Sequence, residues 1–191
     1  MTINILNSSE RTNFGFWMYL MTDFVLFASL FAVYAVLQGN TFGGPTGAQI
    51  FNTQFALLET FILLASSFTC GLALLAGHKA RAGQVLVWLC ITALLGATFV
   101  SLEVSEFVKF IAVGNGPSAS GFLSAYFTLV GTHGLHVTLG LVWMLALMVA
   151  IGVRGLTQGN MRKLELLTMF WHFLELIWIF IFVIVYLLAI V

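Results

Sequence analysis

Five long apolar segments dominate this chain of 191 residues and restrict the folds that it can adopt. They lie at residues 14–37, 55–75, 85–105, 122–151 and 164–191. Each is long enough for a transmembrane helix, which needs about 20 mostly apolar residues. Only 7% of the chain is charged, whereas soluble domains carry about 25%. The sequence therefore predicts an all-α, polytopic membrane protein, a bundle of five transmembrane helices that forms one membrane domain over residues 1–191.

The connecting segments carry an asymmetric charge that predicts orientation. One side of the bundle would hold six of the seven basic residues, namely Arg11, Lys79, Arg81, Arg154, Arg162 and Lys163. The other side would hold only Lys109. Because basic loops stay in the cytoplasm, we expect a cytoplasmic N-terminus and a periplasmic C-terminus. The net charge of zero argues against nucleic acid as a partner.

Ionisable residues inside the predicted spans are the candidates for function, because such groups are costly in a membrane. They are Asp23, Glu59, Glu103, Glu106, His133, His136, His172 and Glu175. Six of them form pairs with a spacing of three residues, which places both members of a pair on one helix face. We expect each pair to face away from lipid.

Helix depth predicts two groups of these residues. With a rise of 1.5 Å per residue, His133 lies roughly 17 Å into its helix, near the membrane midplane, and Asp23 and Glu175 lie at a similar depth. Glu103 and Glu106 lie toward the outer surface. We expect Glu175 or a lipid to provide the hydrogen-bond partner of the two histidines.

Three interpretations of these residues remain open from the residues alone. The first is a metal or haem site. A di-iron bundle uses two Glu-x-x-His motifs and two further carboxylates, and this chain has only a reversed pair, His172 and Glu175, beside a His-x-x-His. One haem between His172 and either His133 or His136 is also possible. A transporter usually has helices interrupted by Gly or Pro, but both prolines lie outside the spans. In the third interpretation, the polar residues pair with one another, bind a lipid headgroup or contact a larger partner. In this interpretation the eight ionisable residues are structural or lipid-cleft groups, and none of them is a catalytic, cofactor-binding or metal-binding residue.

Four motifs are similar to one known family. They are YLMTDFVLFASLFAVYAVL (19–37), LEVSEF (102–107), GTHGLHVTLGLVW (131–143) and FWHFLELIW (170–178). In order and spacing they resemble subunit III of the haem–copper terminal oxidases, and the five-helix form resembles that of the cytochrome bo-type ubiquinol oxidases. Glu106, His133, His136, His172 and Trp178 match the family motifs as they stand. Asp23 and Glu175 match acidic positions, whereas Glu59 matches no known role.

The resemblance implies a function that composition does not. The complex would oxidise ubiquinol, reduce oxygen to water and pump protons as part of aerobic electron transport in the bacterial cytoplasmic (inner) membrane. This chain would be an accessory, non-catalytic subunit that stabilises subunit I and holds phospholipid in a V-shaped cleft. Its partners would be subunits I, II and IV, with the haems and copper in subunit I and no cofactor in this chain. The alternatives are subunit III of a bacterial cytochrome c oxidase and an autonomous transporter of protons or a small solute.

Overall fold

The computed structural model describes residues 2–44 and 46–188, with the backbone alone for residues 2–10 and Ala48. This part of the chain forms helices and turns without strands. The α-helices are α1 (Thr2–Leu37), α2 (Gly47–Ile50), α3 (Thr53–His78), α4 (Ala82–Ala112), α5 (Gly121–Arg154) and α6 (Gln158–Ile181). A π-helical turn, Phe182–Leu187, continues α6.

The prediction of five transmembrane helices is confirmed. All α-helices except α2 are long and apolar enough to cross a membrane. Their ends differ from the predicted ones: α1 begins at Thr2 rather than residue 14, and α4 continues to Ala112 rather than residue 105. Residues 189–191 of the last predicted span lie outside the described part of the chain. The single turn α2 was not predicted.

Side-chain caps fix where three of the helices begin. The side chain of Asn52 accepts hydrogen bonds from the backbone N–H groups of Gln54 and Phe55, at 3.1 and 3.3 Å. Ser120 and Thr157 cap α5 and α6 in the same way. These oxygens satisfy N–H groups that have no partner within a helix. Gly155, with φ +69°, ends α5 in a conformation that favours glycine.

Helices α3, α4, α5 and α6 form a four-helix bundle, in which α3 packs on α4, α4 on α5, α5 on α6 and α6 on α3. Helix α1 lies outside this bundle and packs mainly on α5, with a smaller contact to α6. Its buried side chains among residues 11–37 are Leu20, Asp23, Phe27 and Tyr34. They recur every three, four or seven residues and so form one stripe along the helix.

Hydrogen bonds and small residues hold the bundle helices close together. The Trp171 indole N–H donates to Ser66 Oγ at 2.9 Å, and that of Trp178 donates to Thr60 Oγ1 at 3.1 Å. Gly96 and Gly140 leave room for Trp171, because a Cβ at either position would lie 3.0 Å or less from its ring. Small residues and interhelical hydrogen bonds replace hydrophobic burial as the source of association between membrane helices.

The two ends of the bundle differ in charge. We call the end with the 79–81 and 155–157 turns the basic end, because Arg11, Lys79, Arg81, Arg154, Arg162 and Lys163 belong to it. The opposite end holds residues 38–44, 46–52 and 113–120. There the backbone N–H of Phe122 donates to the Asn40 carbonyl oxygen at 3.2 Å, which joins the end of α1 to the start of α5.

Candidate functional site

Six of the eight ionisable residues predicted from the sequence fall into three separate places, and His133 and Glu175 lie outside them. One is a pair between α1 and α5, and the second is a cluster inside the four-helix bundle. The third is a groove between α1, α3 and α6. The structure therefore does not gather the eight residues into one site.

Asp23 and His136 form the contact between α1 and α5. His136 Nε2 lies 3.8 Å from Asp23 Oδ2, and His136 Nδ1 lies 2.8 Å from the Thr132 carbonyl oxygen. Of the two carboxyl groups that the sequence places at the depth of the histidines, Asp23 rather than Glu175 lies beside His136. A lipid as the partner stays a prediction. The carboxyl group comes from α1, since Asp23 belongs to the stripe that packs on α5.

His133 has different surroundings, although it lies on the same helix three residues earlier. Its side chain is fully buried, with ring centroids of Phe27, Phe99 and Trp178 at 6.3, 5.9 and 5.3 Å. Neither ring nitrogen has a hydrogen-bond partner among the described residues. An aromatic enclosure without a charged partner favours the neutral imidazole.

A cluster of three carboxyl groups and two tyrosines lies inside the four-helix bundle. We call it the acid–tyrosine cluster, and its members are Glu59, Glu103, Glu106, Tyr126 and Tyr186. Glu106 Oε2 accepts hydrogen bonds from the hydroxyl groups of Tyr126 and Tyr186, at 3.2 and 3.1 Å. The two hydroxyl oxygens are 3.0 Å apart. The expectation that Glu103 and Glu106 share a buried face is confirmed, since both are buried.

The two tyrosines of this cluster were not predicted from the sequence. A tyrosine in an apolar span also fits the membrane interface, so residue type alone gave no signal. Tyr186 belongs to the π-helical turn, and such turns often occur at functional sites. A tyrosine hydroxyl group that is buried in an apolar span needs a polar partner, and this requirement is the sequence signal that could have indicated them.

Glu103 packs directly against the backbone of α5. A Cβ added to Gly134 would lie 2.5 Å from both carboxyl oxygens of Glu103. Real Cβ atoms do not approach other atoms so closely, so a larger residue at this position would require the Glu103 carboxyl group to move. The glycine between the two histidines therefore provides space for a carboxyl group on α4.

The third place is a groove of about 790 Å³ between α1, α3 and α6. Its lining residues are Trp17, Leu20, Met21, Phe24, Leu74, His78, Glu165, Thr168, Met169, His172, Phe173 and Leu176. At its basic end, His78 Nε2 lies 3.7 Å from Glu165 Oε1. This pair was missed from the sequence, because both residues lie near helix ends where a charged residue is expected to contact water.

His172 and Glu175 do not share one environment. His172 is exposed and lines the groove, with Nδ1 at 2.7 Å from the Thr168 carbonyl oxygen, whereas Glu175 is partly buried and is not a lining residue. The two members of this pair thus have different surroundings, and the expectation that both face away from lipid stays a prediction. Across residues 2–44 and 46–188, no three His, Cys, Asp or Glu residues are arranged to hold a metal ion.

Together these features define a polytopic, all-helical membrane protein with buried carboxyl groups and a groove open along its side. The sequence model described as cytochrome c oxidase subunit III matches residues 6–190. The chain belongs to this family.

Named relatives come from several bacteria. The chain is 56% identical to cytochrome bo(3) ubiquinol oxidase subunit 3 of Pseudomonas aeruginosa, over 96% of this chain and 88% of the relative. It is 50% identical to the protein of the same name from Pseudomonas putida, over 96% of this chain and 89% of the relative. It is 43% identical to quinol oxidase subunit 3 of Bacillus subtilis, over 92% of this chain and 86% of the relative.

Proposed function

We propose that this chain is the accessory subunit III of a proton-pumping, cytochrome bo-type ubiquinol oxidase. The observation that carries this proposal is the identity of 56% and 50% to two subunits of that name across nearly the whole chain. In this proposal the complex includes subunits I, II and IV, and subunit I carries the haems and copper. The chain itself provides no catalytic residue, and it lies in the cytoplasmic membrane of a bacterium.

The groove is the proposed site for phospholipid. Its lining is mostly apolar and matches acyl chains, while His78 and Glu165 at its end match a polar headgroup. Its volume of about 790 Å³ lies within the range of about 300–1,000 Å³ that is typical of small-molecule sites. A lipid held there would fill the space that separates α1 from α3 and stabilise the surface offered to subunit I.

The distribution of the basic residues gives a proposed orientation of the chain in the membrane. Six of the seven basic side chains belong to the basic end, and such an excess is retained on the cytoplasmic side. We therefore place the basic end and the N-terminus in the cytoplasm, and the opposite end with the C-terminus in the periplasm.

A tagged copy of the chain, purified from its host in mild detergent, tests the proposed function. We expect it to co-purify with haem-containing chains that oxidise ubiquinol and consume oxygen. Oxidation of cytochrome c instead would support the second candidate, a cytochrome c oxidase, which the description of the family model favours. A chain without haem-containing partners that moves a solute in vesicles would contradict both.

A matched pair of tryptophan substitutions tests the lipid site. Leu176 lines the groove and is 47% exposed, whereas Leu64 lies on the outer face of α3 and is 45% exposed. We expect Leu176→Trp to lose phospholipid that remains bound to the wild type, as measured by native mass spectrometry, and Leu64→Trp to retain it. Equal retention by both variants would mean that the groove is not the lipid site.

A further inference from the structure

The acid–tyrosine cluster contains more carboxyl groups than its surroundings can balance as anions. The cluster lies inside the bundle near the opposite end, because Glu59 follows the start of α3 by six residues and Glu106 precedes the end of α4 by six residues. At 1.5 Å per residue this is a depth of about 9 Å in each helix. Four elements contribute side chains, namely α3, α4, α5 and the π-helical turn.

Glu59 and Glu103 are the unusual members of the cluster. Their exposed fractions are 0% and 3%, and none of their four carboxyl oxygens has a hydrogen-bond partner within the described parts of the chain. Both interact electrostatically with Glu106, and Glu103 also interacts with Glu59, so the three carboxyl groups face a common region. Burying an ionised carboxylate without a partner is costly, and such a group is normally neutral instead.

The groups that face this region decide how much negative charge it can hold. Lys109 on α4 interacts electrostatically with Glu106, and its Nζ lies 5.3 Å from the centre of the Phe55 ring. The six other basic residues belong to the basic end. His133, one residue before Gly134 on α5, lies in its aromatic enclosure and makes no hydrogen bond with the described residues. One lysine balances one carboxylate, and two of the three carboxyl groups then carry protons.

The hydrogen bonds around Glu106 leave room for a further proton. Three oxygens, Glu106 Oε2 and the hydroxyls of Tyr126 and Tyr186, are separated by 3.0 to 3.2 Å. The two hydroxyl groups supply two hydrogen-bonding protons for the three oxygen–oxygen contacts of this ring. A third proton on Glu106 would complete the ring, so the cluster can accept a proton without moving its heavy atoms.

Phe51 covers the cluster toward the opposite end. Its side chain is 8% exposed, and its ring centroid lies 4.8 Å from that of Tyr126 and 5.0 Å from that of Tyr186. It comes from the segment between α2 and α3, not from a transmembrane helix. An aromatic ring in this position separates the carboxyl groups from water at the surface of the bundle.

We propose that the acid–tyrosine cluster is an internal proton-binding site, with Glu59 and Glu103 as the groups that carry protons at neutral pH. Water molecules complete the hydrogen bonds of these two carboxyl groups, as is usual for buried polar groups without a protein partner. Phe51 closes the site toward the opposite end and slows its exchange with bulk water. The proposal concerns this chain's own side chains and does not depend on which oxidase the chain belongs to.

Infrared spectroscopy of the purified assembly tests the proposal, because a protonated carboxyl group has a carbonyl-stretch band that a carboxylate lacks. We expect Glu59→Gln and Glu103→Gln each to remove one such band at neutral pH. Glu165→Gln is the control, since Glu165 lines the groove beside His78 and is not part of the cluster, and it should leave both bands in place. Absence of protonated-carboxyl bands in the wild type, or bands that survive both substitutions, would overturn the proposal.

Two further measurements remain decisive if one variant fails to assemble. A membrane-permeant carbodiimide, which modifies protonated carboxyl groups in apolar surroundings, should label Glu59 or Glu103 in the wild type, as located by mass spectrometry of the peptides. Phe51→Ala should speed the deuterium shift of the two bands in D₂O. Loss of the bands on addition of sodium ions would show a cation site instead and contradict the proposal, as would labelling confined to other carboxyl groups.

Discussion

Single residues in this protein have surroundings that depend on their neighbours in space rather than on their position in a motif. His133 and His136 belong to the same motif, yet one is enclosed by aromatic rings and the other lies beside Asp23. Gly134 between them accommodates the carboxyl group of Glu103. The motif thus combines three structural roles within four residues.

Gly134→Ala should destabilise the protein, because its Cβ would overlap both carboxyl oxygens of Glu103. Overpacking of this kind costs about 1–3 kcal/mol. The unfolding temperature of the purified assembly in one detergent measures the effect. Gly152→Ala on the same helix is the control, since a Cβ there meets nothing within 4 Å. Similar unfolding temperatures for the two variants would contradict the close approach of Glu103.

Replacing His133 and His136 together by glutamine should leave initial oxidase turnover largely intact. The reason is that the described residues around them contain no arranged set of metal ligands, while His136 connects α5 to α1 through Asp23. We expect weaker assembly or lipid retention, measured as the yield of intact complex and its bound phospholipid. Complete loss of turnover in a fully assembled variant would argue for a direct role.

The sequence predicted which residues are costly in a membrane but not how they are partnered. Glu103 and Glu106 could be assigned to one buried face because their spacing of three is a local property of a helix. Helix depth placed Asp23 level with the two histidines, but its pairing with His136 and the position of Tyr186 depend on how distant helices approach one another. Such information is not contained in the pattern of any one segment.

At the scale of elements, the connections between helices are fixed by few polar groups. The Asn160 side-chain amide donates to the carbonyl oxygens of Gly155 and Ala150, at 2.8 and 3.3 Å. It thereby joins the start of α6 to the end of α5 at the basic end. The turn residues here were predictable as a break between spans, whereas this bridging role of Asn160 was not, because it depends on the exact geometry of the turn.

Asn160→Ala should lower the unfolding temperature of the assembly, because two hydrogen bonds between α5 and α6 would be lost. The net contribution of such a bond is about 0.5–1.5 kcal/mol, and Asn160 is buried. Gln158→Ala is the matched control, since Gln158 is exposed in the same turn of helix. If both variants unfold at the wild-type temperature, the amide does not stabilise the connection.

For the molecule as a whole, the number of spans was the most predictable feature and the exact helix length the least. Apolar runs determine which segments cross the membrane. Helix ends beyond the apolar core depend on caps and turns, so α1 and α4 extend past the predicted limits. The position of α1 outside the four-helix bundle had no signal in the sequence, because all five spans are similarly apolar.

Cysteine labelling tests the proposed orientation of the whole chain. Lys79 and Ser118 are exposed at the basic end and the opposite end, respectively. In a Cys90→Ala background, a membrane-impermeant maleimide should label Ser118→Cys in intact spheroplasts and Lys79→Cys only after permeabilisation. The reverse pattern would place the N-terminus outside, against the charge rule.

The position of α1 also sets an order of events during synthesis. Its main contact is with α5, and Asp23 meets His136 only after roughly 110 further residues have been made, which takes about 5–20 s at bacterial elongation rates. Until then α1 must remain in the bilayer without its partner. The many large apolar side chains on its outer faces, Phe14, Val25 and Val36 among them, keep it inserted during this delay. Helix α1 is therefore inserted before its main partner exists, and docking of α5 completes its assembly.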